Sequence, residues 1–252
     1  MRLDKFLAEH FGSRTKAAAA ISKKLVLING NAVQPSYEYK EGDKIEIIDA
    51  EESYVSAGGF KLSKAIKDFN YRVADKIFAD IGASTGGFTD CLLQHGAKKV
   101  YCIDIGESQL DATLLEKNVV VIDNFNARNL TADLFSDKLD GVVIDVSFIS
   151  LTYILEGVSR ILDDGANVLA LIKPQFECES RKVGKNGIVH DSEVRRKIIN
   201  KVLDFSVKCK LIPQNLTNAP IIKGKNMEYI VLLEKSEKCK NINEKLLKSV
   251  KL

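Results

Sequence analysis

The sequence predicts an α/β protein in which a mainly parallel sheet, with helices on both faces, follows a small α+β module. From Ile77 onward, apolar strand-like runs alternate with amphipathic helix-like runs, which is typical of parallel sheets joined by helices. Before that, two helical segments lead into a hairpin signal, Asn29-Gly30. With 252 residues and 45% hydrophobic residues, the chain suffices for a medium domain plus a small one.

The rest of the chain is organised around the segment Phe78–Asp90, which we interpret as a strand, a turn and the first turn of a helix. Gly82, Gly86 and Gly87 permit positive φ angles and let a ligand approach the main chain. Their G-x-x-x-G-G spacing differs from that of dinucleotide-binding turns. Asp80 at the strand end suits a ligand with a cationic centre, such as S-adenosylmethionine.

A spaced carboxylate strengthens this interpretation. Asp104 ends the next predicted strand, 22 residues after Gly82. That is close to the step of roughly 20 residues that leads to a ribose-binding carboxylate in doubly wound folds. The alternative is an ordinary α/β turn with a capping aspartate.

Element boundaries follow from apolar periodicity and from turn and cap residues. In the first 50 residues we expect a helix around Leu3–Phe11, a second helix over Arg14–Ser22 and the hairpin. Further strands are predicted at 77–81, 99–104, 119–123, 140–145, 166–172, 211–216 and 228–234, the last two antiparallel. Further helices are predicted at 61–69, 87–95, 107–116, 148–162 and 191–208. The domains are then 1–50 and 61–252, with 51–60 as a linker.

Charge and cysteine content restrict the possible partners. The net charge of +3 creates no global field for a polyanion, but residues 1–30 carry a local excess of four positive charges. The candidate RNA-binding residues here are Arg2, Lys5, Arg14, Lys16, Lys23 and Lys24, although a solvated helix surface is the alternative. Five scattered cysteines without C-x-x-C predict neither a metal site nor disulfides, as in a cytoplasmic protein. No apolar run is long enough to predict a membrane span.

Four charged residues flank predicted strands. Asp145 and Lys173 follow fully apolar strands, Glu228 opens the last strand and Lys61 precedes the first. Ligands of open α/β sheets bind beyond the carboxyl ends of the strands, so these residues are candidates for catalysis. Alternatively, Asp145 and Lys173 form only an ion pair that closes the sheet edge.

The motifs resemble known families. Arg2-Leu3-Asp4, Ser13-Arg14 and Val26-x-x-Asn29-Gly30 are similar to the alpha-L RNA-binding module, with Lys24 replacing a usual glycine. Lys61, Asp145, Lys173 and Glu228 match the Lys-Asp-Lys-Glu tetrad of FtsJ-like ribose 2′-O-methyltransferases. Nearly the whole chain resembles the TlyA family, also called haemolysin A. Further matching motifs are Tyr54-Val55-Ser56-x-Gly58-Gly59, Asp80–Asp90, Asp104-Ile105-Gly106, Asn126-Ala127-Arg128, Asp145–Ser150, Ile172–Glu177 and Gly224-x-Asn226-x-Glu228.

The resemblance implies a class I, Rossmann-like methyltransferase sheet and methyl transfer from S-adenosylmethionine to a cytidine 2′-hydroxyl in ribosomal RNA. Lys173 then accepts the hydroxyl proton, because desolvation and the nearby Lys61 favour its neutral amine. The implied cofactor-binding residues are Asp80, Gly82, Ser84, Thr85, Gly86, Gly87, Phe88, Asp104, Asp123, Asn126 and Asp145. Departures from the family are Ala57, where arginine is common, and Asp123, where glutamate is usual.

The expected partners are ribosomal RNA or ribosomal subunits, with a monomer favoured and no metal or membrane. The segment from Pro174 to His190, which carries Arg181 and Lys182, is expected to close over RNA. Two rival functions are a non-catalytic RNA-binding or ribosome-assembly factor and a membrane-acting haemolysin.

Overall fold

A seven-stranded sheet forms the centre of the larger part of the molecule. The computed structural model describes residues 1–22, 25–47, 53–178, 184, 186–222, 224–238 and 243–252. The chain divides into two compact units. The first comprises Met1–Ser53 with Ile221–Lys225, and the second comprises Tyr54–Pro220 with Asn226–Leu252. The domain boundaries drawn from the sequence remain predictions.

The first unit is a small α+β structure. Its elements are α1 (Leu3–Phe6), α2 (Arg14–Ser22), β1 (Val26–Ile28), β2 (Asn31–Ala32) and β3 (Ile45–Ile47). The three strands are antiparallel in the order β2-β1-β3. At the hairpin turn Asn29 has φ 51° and Gly30 has φ 74°. Two consecutive positive φ angles match the twist of the flanking strands, and this is why Asn-Gly predicted the hairpin correctly.

The second unit has seven strands and seven helices in its described residues. The strands are β4 (Ile77–Ile81), β5 (Lys99–Ile103), β6 (Val119–Ile122), β7 (Gly141–Ile144), β8 (Asn167–Ile172), β9 (Leu211–Asn218) and β10 (Tyr229–Lys235). The helices are α3 (Ala57–Asp68), α4 (Gly87–Gln94), α5 (Ala112–Leu115), α6 (Leu155–Arg160), α7 (Pro174–Glu177), α8 (Ser192–Lys208) and α9 (Asn243–Leu247).

The sheet order is β6-β5-β4-β7-β8-β10-β9. Within β4 to β8, neighbouring strands are parallel to one another. By contrast, β10 is antiparallel to both β8 and β9. This confirms the predicted mainly parallel sheet and its terminal antiparallel pair. The carboxyl ends of β4, β7 and β8 consequently meet the amino end of β10 at one edge.

Apolar layers cover both faces of the sheet because successive strand residues point to opposite sides. On one face, Phe78 packs with Leu62 of α3 and Leu92 of α4. On the other face, Ile81 belongs to the core that includes Leu155 of α6 and further residues of α8. The helices therefore hold the strand ends at fixed positions relative to one another.

The expected helix around Leu3–Phe11 is shorter, because α1 ends at Phe6 and Leu7 is its C-cap. Three further predicted boundaries were wrong. The expected helix 107–116 is reduced to α5, because Ser108 has φ 51° and Asp111 caps the helix by accepting a hydrogen bond from Thr113 N. The expected helix 148–162 becomes a 3₁₀ turn, Leu151–Tyr153, followed by α6, because Phe148 has φ 63°. Left-handed residues cannot continue an α-helix.

The third correction concerns α3. This helix begins at Ala57, within the predicted linker, so that Lys61 lies in its second turn and not at its amino terminus. Asp90 of α4 accepts a hydrogen bond from Val55 N at 3.0 Å, which attaches the start of the second unit to α4.

Gly59 of α3 should resist substitution. A Cβ atom there would lie 2.2 Å from Tyr54 Cγ, whereas a Cβ on Gly157 of α6 would meet nothing closer than 3.5 Å. We expect Gly59→Ala to reduce the free energy of unfolding by about 1–3 kcal/mol through overpacking. The matched Gly157→Ala should raise it by about 0.5–1 kcal/mol, since alanine favours a helix. Urea unfolding followed by circular dichroism measures both changes, and equal effects would contradict the packing argument.

Candidate active site

Two lysine–carboxylate pairs lie at the edge where β4, β7, β8 and β10 end or begin. Lys173 directly follows β8, and its Nζ lies 2.6 Å from Asp145 Oδ1 at the end of β7. The Lys173 ammonium also donates a hydrogen bond to Ser147 Oγ at 2.9 Å. Because the Lys173 side chain is only 10% exposed, this pair holds opposite charges in a largely desolvated position.

The second pair joins α3 to β10. Lys61 Nζ lies 2.7 Å from Glu228 Oε2. Tyr229 pairs with Ile172, and continuing this antiparallel register by one residue sets Glu228 opposite Lys173. Directly opposed residues have Cβ atoms about 4.5–5.5 Å apart. The structure therefore joins the four tetrad residues as two ion pairs, whose members lie in α3 or next to the ends of β7, β8 and β10.

A cavity of about 170 Å³ opens beside this tetrad. It is lined by the turn after β4, by the start of α3 and by the ends of β7 and β8. Its lining residues are Ser56, Gly58, Gly82, Ala83, Ser84, Thr85, Gly87, Phe88, Asp145, Ser147 and Lys173. Six of the predicted cofactor-binding residues thus lie on one cavity.

The glycine turn is held in a conformation that few other residues adopt. Gly82 has φ 84°, Ser84 has φ 48° and Gly86 has φ 90°. A Cβ on Gly82 would lie 2.8 Å from the carbonyl oxygen of Asp145. The glycines therefore keep the backbone of the turn close to Asp145 after β7, and they leave the cavity open.

Asp80 does not line the cavity, contrary to its predicted contact with a ligand. Its side chain is fully buried, and its Oδ2 accepts a hydrogen bond from Thr89 Oγ1 at 2.7 Å. Its Oδ1 has no hydrogen-bond partner among the described residues. Burial raises the pKa of Asp80 to about 7, because the charged form loses its hydration. Asp80 thus lies beneath the turn, in contact with α4.

The remaining predicted cofactor residues organise loops at the carboxyl ends of β5 and β6. Asp104 accepts hydrogen bonds from Ser84 N and Gly106 N, both at 2.8 Å. Asp123 accepts one from Ser108 N at 2.9 Å, and Asn126 caps a 3₁₀ turn. Asp104, Asp123 and Asn126 do not line the cavity of 170 Å³. Gly86 does not line it either, and it forms the left-handed N-cap of α4.

Sequence reasoning missed an aromatic pair next to the site, in which one ring is exposed and the other is half-buried. Phe148 is 91% exposed, and its ring centroid lies 5.0 Å from that of Phe176. Phe148 follows Ser147, and Phe176 lies in α7, three residues after Lys173. The two phenylalanines stand in motifs quoted from the sequence, but nothing there distinguishes an exposed ring from a core ring. Such a surface is suited to stacking on a planar group.

Asn226 secures the segment that leads into Glu228. Its Oδ1 accepts a hydrogen bond from Val189 N at 2.8 Å, and its Nδ2 donates one to the carbonyl oxygen of Gly187 at 2.7 Å. The predicted closing segment from Pro174 to His190 is described only in part. Arg181 and Lys182 lie outside the described residues.

In the first unit, two of the predicted RNA-binding residues converge on a buried carboxylate. Asp4 accepts hydrogen bonds from Arg2 Nη2 at 2.8 Å and from Arg14 Nη2 at 3.2 Å. The hydrogen bond from Arg2 is the main reason that the pKa of Asp4 is lowered to about 2. The side chains of Arg2 and Arg14 are about half exposed. Lys5 of α1 and Lys16 of α2 are exposed. Lys23 and Lys24 lie outside the described residues.

The described residues lack two features. They contain no cluster of three or more histidine, cysteine, aspartate or glutamate side chains that is arranged to hold a metal ion. None of their helices is both long and apolar enough to cross a membrane.

This sheet, with its glycine turn and charged tetrad, defines a methyltransferase. The FtsJ-like methyltransferase family profile matches residues 54–235, and the S4 domain profile matches residues 1–45. The chain belongs to the FtsJ-like methyltransferases with an amino-terminal S4 domain, and among them to the TlyA, or haemolysin A, family.

Named relatives lie within the same family. The chain is 42% identical to "Hemolysin A" of Brachyspira hyodysenteriae over 236 residues, which cover 91% of this chain and 98% of the relative. It is 38% identical over 190 residues to "16S/23S rRNA (cytidine-2'-O)-methyltransferase TlyA" of Mycobacterium tuberculosis, covering 74% and 71%. A solved structure from Streptococcus thermophilus, provisionally named a hemolysin, is 36% identical with a TM-score of 0.75, covering 99% and 95%.

The buried Asp80 should make stability depend on pH. Its pKa rises from 3.8 to about 7 on folding. At a pH between these two values, Asp80 is therefore protonated in the folded state and ionised in the unfolded state. Between about pH 4 and pH 7 this group therefore destabilises the fold progressively, by up to the order of 4 kcal/mol.

Asp80→Asn keeps an acceptor for Thr89 Oγ1 and removes the titration. We expect the unfolding free energy of this variant to increase relative to the unsubstituted protein as the pH rises through that window. Asp75→Asn, at an exposed left-handed position, is the control. Urea unfolding at several pH values measures the free energy of unfolding of each protein. If Asp80→Asn and the unsubstituted protein showed the same dependence on pH, the burial argument would be contradicted.

Proposed function

We propose that this protein transfers the methyl group of S-adenosylmethionine to the ribose 2′-hydroxyl of a cytidine in ribosomal RNA. The observation that carries the proposal is the desolvated Lys173–Asp145 pair, beside the glycine-lined cavity and opposite Lys61–Glu228. The name of the M. tuberculosis relative supports the substrate, and the S4 profile supports binding to RNA.

The cavity suits S-adenosylmethionine by the polar groups that line it. Ser56, Ser84 and Thr85 offer hydroxyl groups, and Asp145 offers negative charge to a sulfonium. A Cβ on Gly87 would lie 2.2 Å from Ser56 Oγ, so glycine is needed to keep this surface open. Bound there, S-adenosylmethionine supplies an electrophilic methyl group. Asp104 supports the site by holding Ser84 and Gly106, and we retain it as a candidate for ribose contact.

The tetrad divides the chemical work. A ribose hydroxyl is a poor nucleophile and must lose its proton as the methyl moves from sulfur to oxygen. Lys173 accepts that proton after its ammonium has released one to solvent, while Asp145 and Ser147 orient its Nζ. Lys61, held by Glu228, supplies a cation for the ribose or its phosphate. Holding the hydroxyl in line with the methyl contributes a further large part of the rate.

The aromatic pair supports a nucleotide substrate. Phe148 presents an almost fully exposed ring beside Ser147, and Phe176 packs against that ring. A base drawn out of its RNA structure can stack on such a surface, with about 1–3 kcal/mol per stacked base. The 2′-hydroxyl of the same nucleotide then approaches Lys173.

Lys173 is the decisive residue to test. We expect Lys173→Ala to lower the methylation rate of ribosomal RNA by about 10²- to 10⁴-fold, which is the usual contribution of acid–base catalysis, with cofactor affinity unchanged. Lys173→Arg should not restore the rate, because guanidinium does not give up its proton. Transfer of labelled methyl groups, mapped by nucleotide, measures the rate, and calorimetry measures the affinity.

The control is Lys99→Ala, which breaks a lysine–carboxylate pair of the same length at the other edge of the sheet. An active Lys173→Arg enzyme would reject the proton-acceptor role and leave Lys173 as a positive charge. An unsubstituted protein that binds but does not methylate ribosomal RNA would favour the assembly-factor alternative.

A second prediction concerns Arg2 and Arg14. Replacing both with alanine removes two exposed cations from the S4 unit and should weaken binding to ribosomal RNA. The slope of log affinity against log salt should become shallower by roughly 1.4–1.8, since each of the two lost phosphate contacts changes it by about 0.7–0.9. Filter binding across a salt series measures this slope.

The matched control is Lys210→Ala, an exposed lysine paired with Glu237. It should leave the slope unchanged. An Arg2→Ala/Arg14→Ala variant with an unchanged slope would show that other residues carry the RNA affinity.

A further inference from the structure

We propose that Glu177 is a positioning residue that fixes the loop of Asp145, Ser147 and Phe148 against the segment that carries Lys173. The proposal rests on the proposed function for its effect on catalysis. Glu177 is the last residue of α7, which begins directly after Lys173. With 6% of its surface exposed, it cannot serve as a surface charge.

Both carboxylate oxygens of Glu177 bind the end of the loop that follows β7, at Ser150 and Leu151. Oε1 accepts a hydrogen bond from Leu151 N at 2.7 Å, and Oε2 accepts one from Ser150 Oγ at 2.5 Å. Ser150 Oγ in turn accepts a hydrogen bond from Thr152 N at 3.2 Å. Hydrogen bonds to a carboxylate are stronger than those between neutral groups, so this attachment is firm.

These contacts close a circuit around the catalytic pair. The chain runs from Lys173 through α7 to Glu177 and crosses to Ser150 by the hydrogen bond. It then returns along the loop to Ser147 and Asp145, whose oxygens lie 2.9 and 2.6 Å from Lys173 Nζ. The two segments are thus joined at both ends of the circuit, which restricts the motion of Lys173 relative to Asp145.

The backbone of the loop needs such an attachment. Phe148 has φ 63°, a conformation that is strained for a bulky residue and persists only when its surroundings enforce it. One end of the loop is fixed by Asp145 N, which donates to the Ile81 carbonyl at 3.0 Å. The other end is fixed by Glu177. Loss of Glu177 should therefore let Phe148 relax and loosen the site.

Kinetics provide the first test. Glu177→Ala removes both hydrogen bonds, whereas Glu177→Gln keeps an acceptor for Leu151 N and an amide that can donate to Ser150 Oγ. We expect Glu177→Ala to lower kcat by about 10- to 100-fold, because small misplacements of reacting groups cost this much. Cofactor Kd should change much less than kcat, because the glycine turn that forms most of the cavity is not attached to Glu177, and Glu177→Gln should recover most of kcat. Glu156→Ala, which removes an exposed carboxylate of α6, is the matched control.

A second readout does not depend on activity. The chain contains no tryptophan, so Phe148→Trp introduces a single fluorescent reporter in the strained loop. In this background Glu177→Ala should lower the fluorescence anisotropy of the tryptophan, and Glu177→Gln and Glu156→Ala should not. Should Glu177→Ala fail to fold, Ser150→Ala removes one of the two hydrogen bonds and should give a smaller loss in both readouts.

The outcomes separate the two proposals. Unchanged kcat and unchanged anisotropy in Glu177→Ala, or in Ser150→Ala where that variant replaces it, would overturn the positioning role. Equal losses of kcat in Glu177→Ala and Glu156→Ala would also overturn it. An unsubstituted protein without activity on ribosomal RNA, combined with the anisotropy loss in Glu177→Ala, would reject the proposed function and leave the structural role of Glu177 intact.

Discussion

The contact between Lys173 and Asp145 is the interaction on which the rest of the site depends. Two opposite charges removed from water are stable together only when their geometry is well held, because each alone would be strongly destabilising. Here the ends of the parallel strands β7 and β8 hold this geometry. Ser147 Oγ accepts a further hydrogen bond from the ammonium. Tyr229 pairs with Ile172 across β8 and β10, so the sheet register brings the segments that carry Glu228 and Lys173 to the same edge.

Strained backbone surrounds this pair. Gly82, Ser84 and Gly86 all have positive φ angles in the turn that borders the cavity, and Phe148 has one in the loop beside Lys173. Glycine adopts such angles readily, but for Ser84 and Phe148 they cost free energy and are kept where a site needs a fixed shape. The hydrogen bonds of Asp104 to Ser84 N and of Glu177 to the end of the Phe148 loop hold these two segments.

In the first unit, one buried carboxylate holds two arginine side chains close together. Arg2 and Arg14 would repel each other on a small surface, but the carboxylate of Asp4 lies between them and accepts hydrogen bonds from both. The guanidinium groups stay about half exposed while their positions are fixed. A fixed pair of exposed cations is a suitable contact for phosphate groups, which agrees with the S4 assignment of this unit.

Local sequence patterns were sufficient to predict the sheet, the hairpin and the four charged residues that the structure places as two ion pairs. Apolar runs and the Asn29-Gly30 turn act locally, so their strands follow from the order of residues alone. The tertiary structure decided which groups reach the cavity. It buried Asp80 beneath the glycine turn, gave Phe148 its exposed position and assigned Glu177 to a loop 26 residues earlier in the chain. Burial and contacts between distant segments arise only when the layers pack, and no local pattern encodes them.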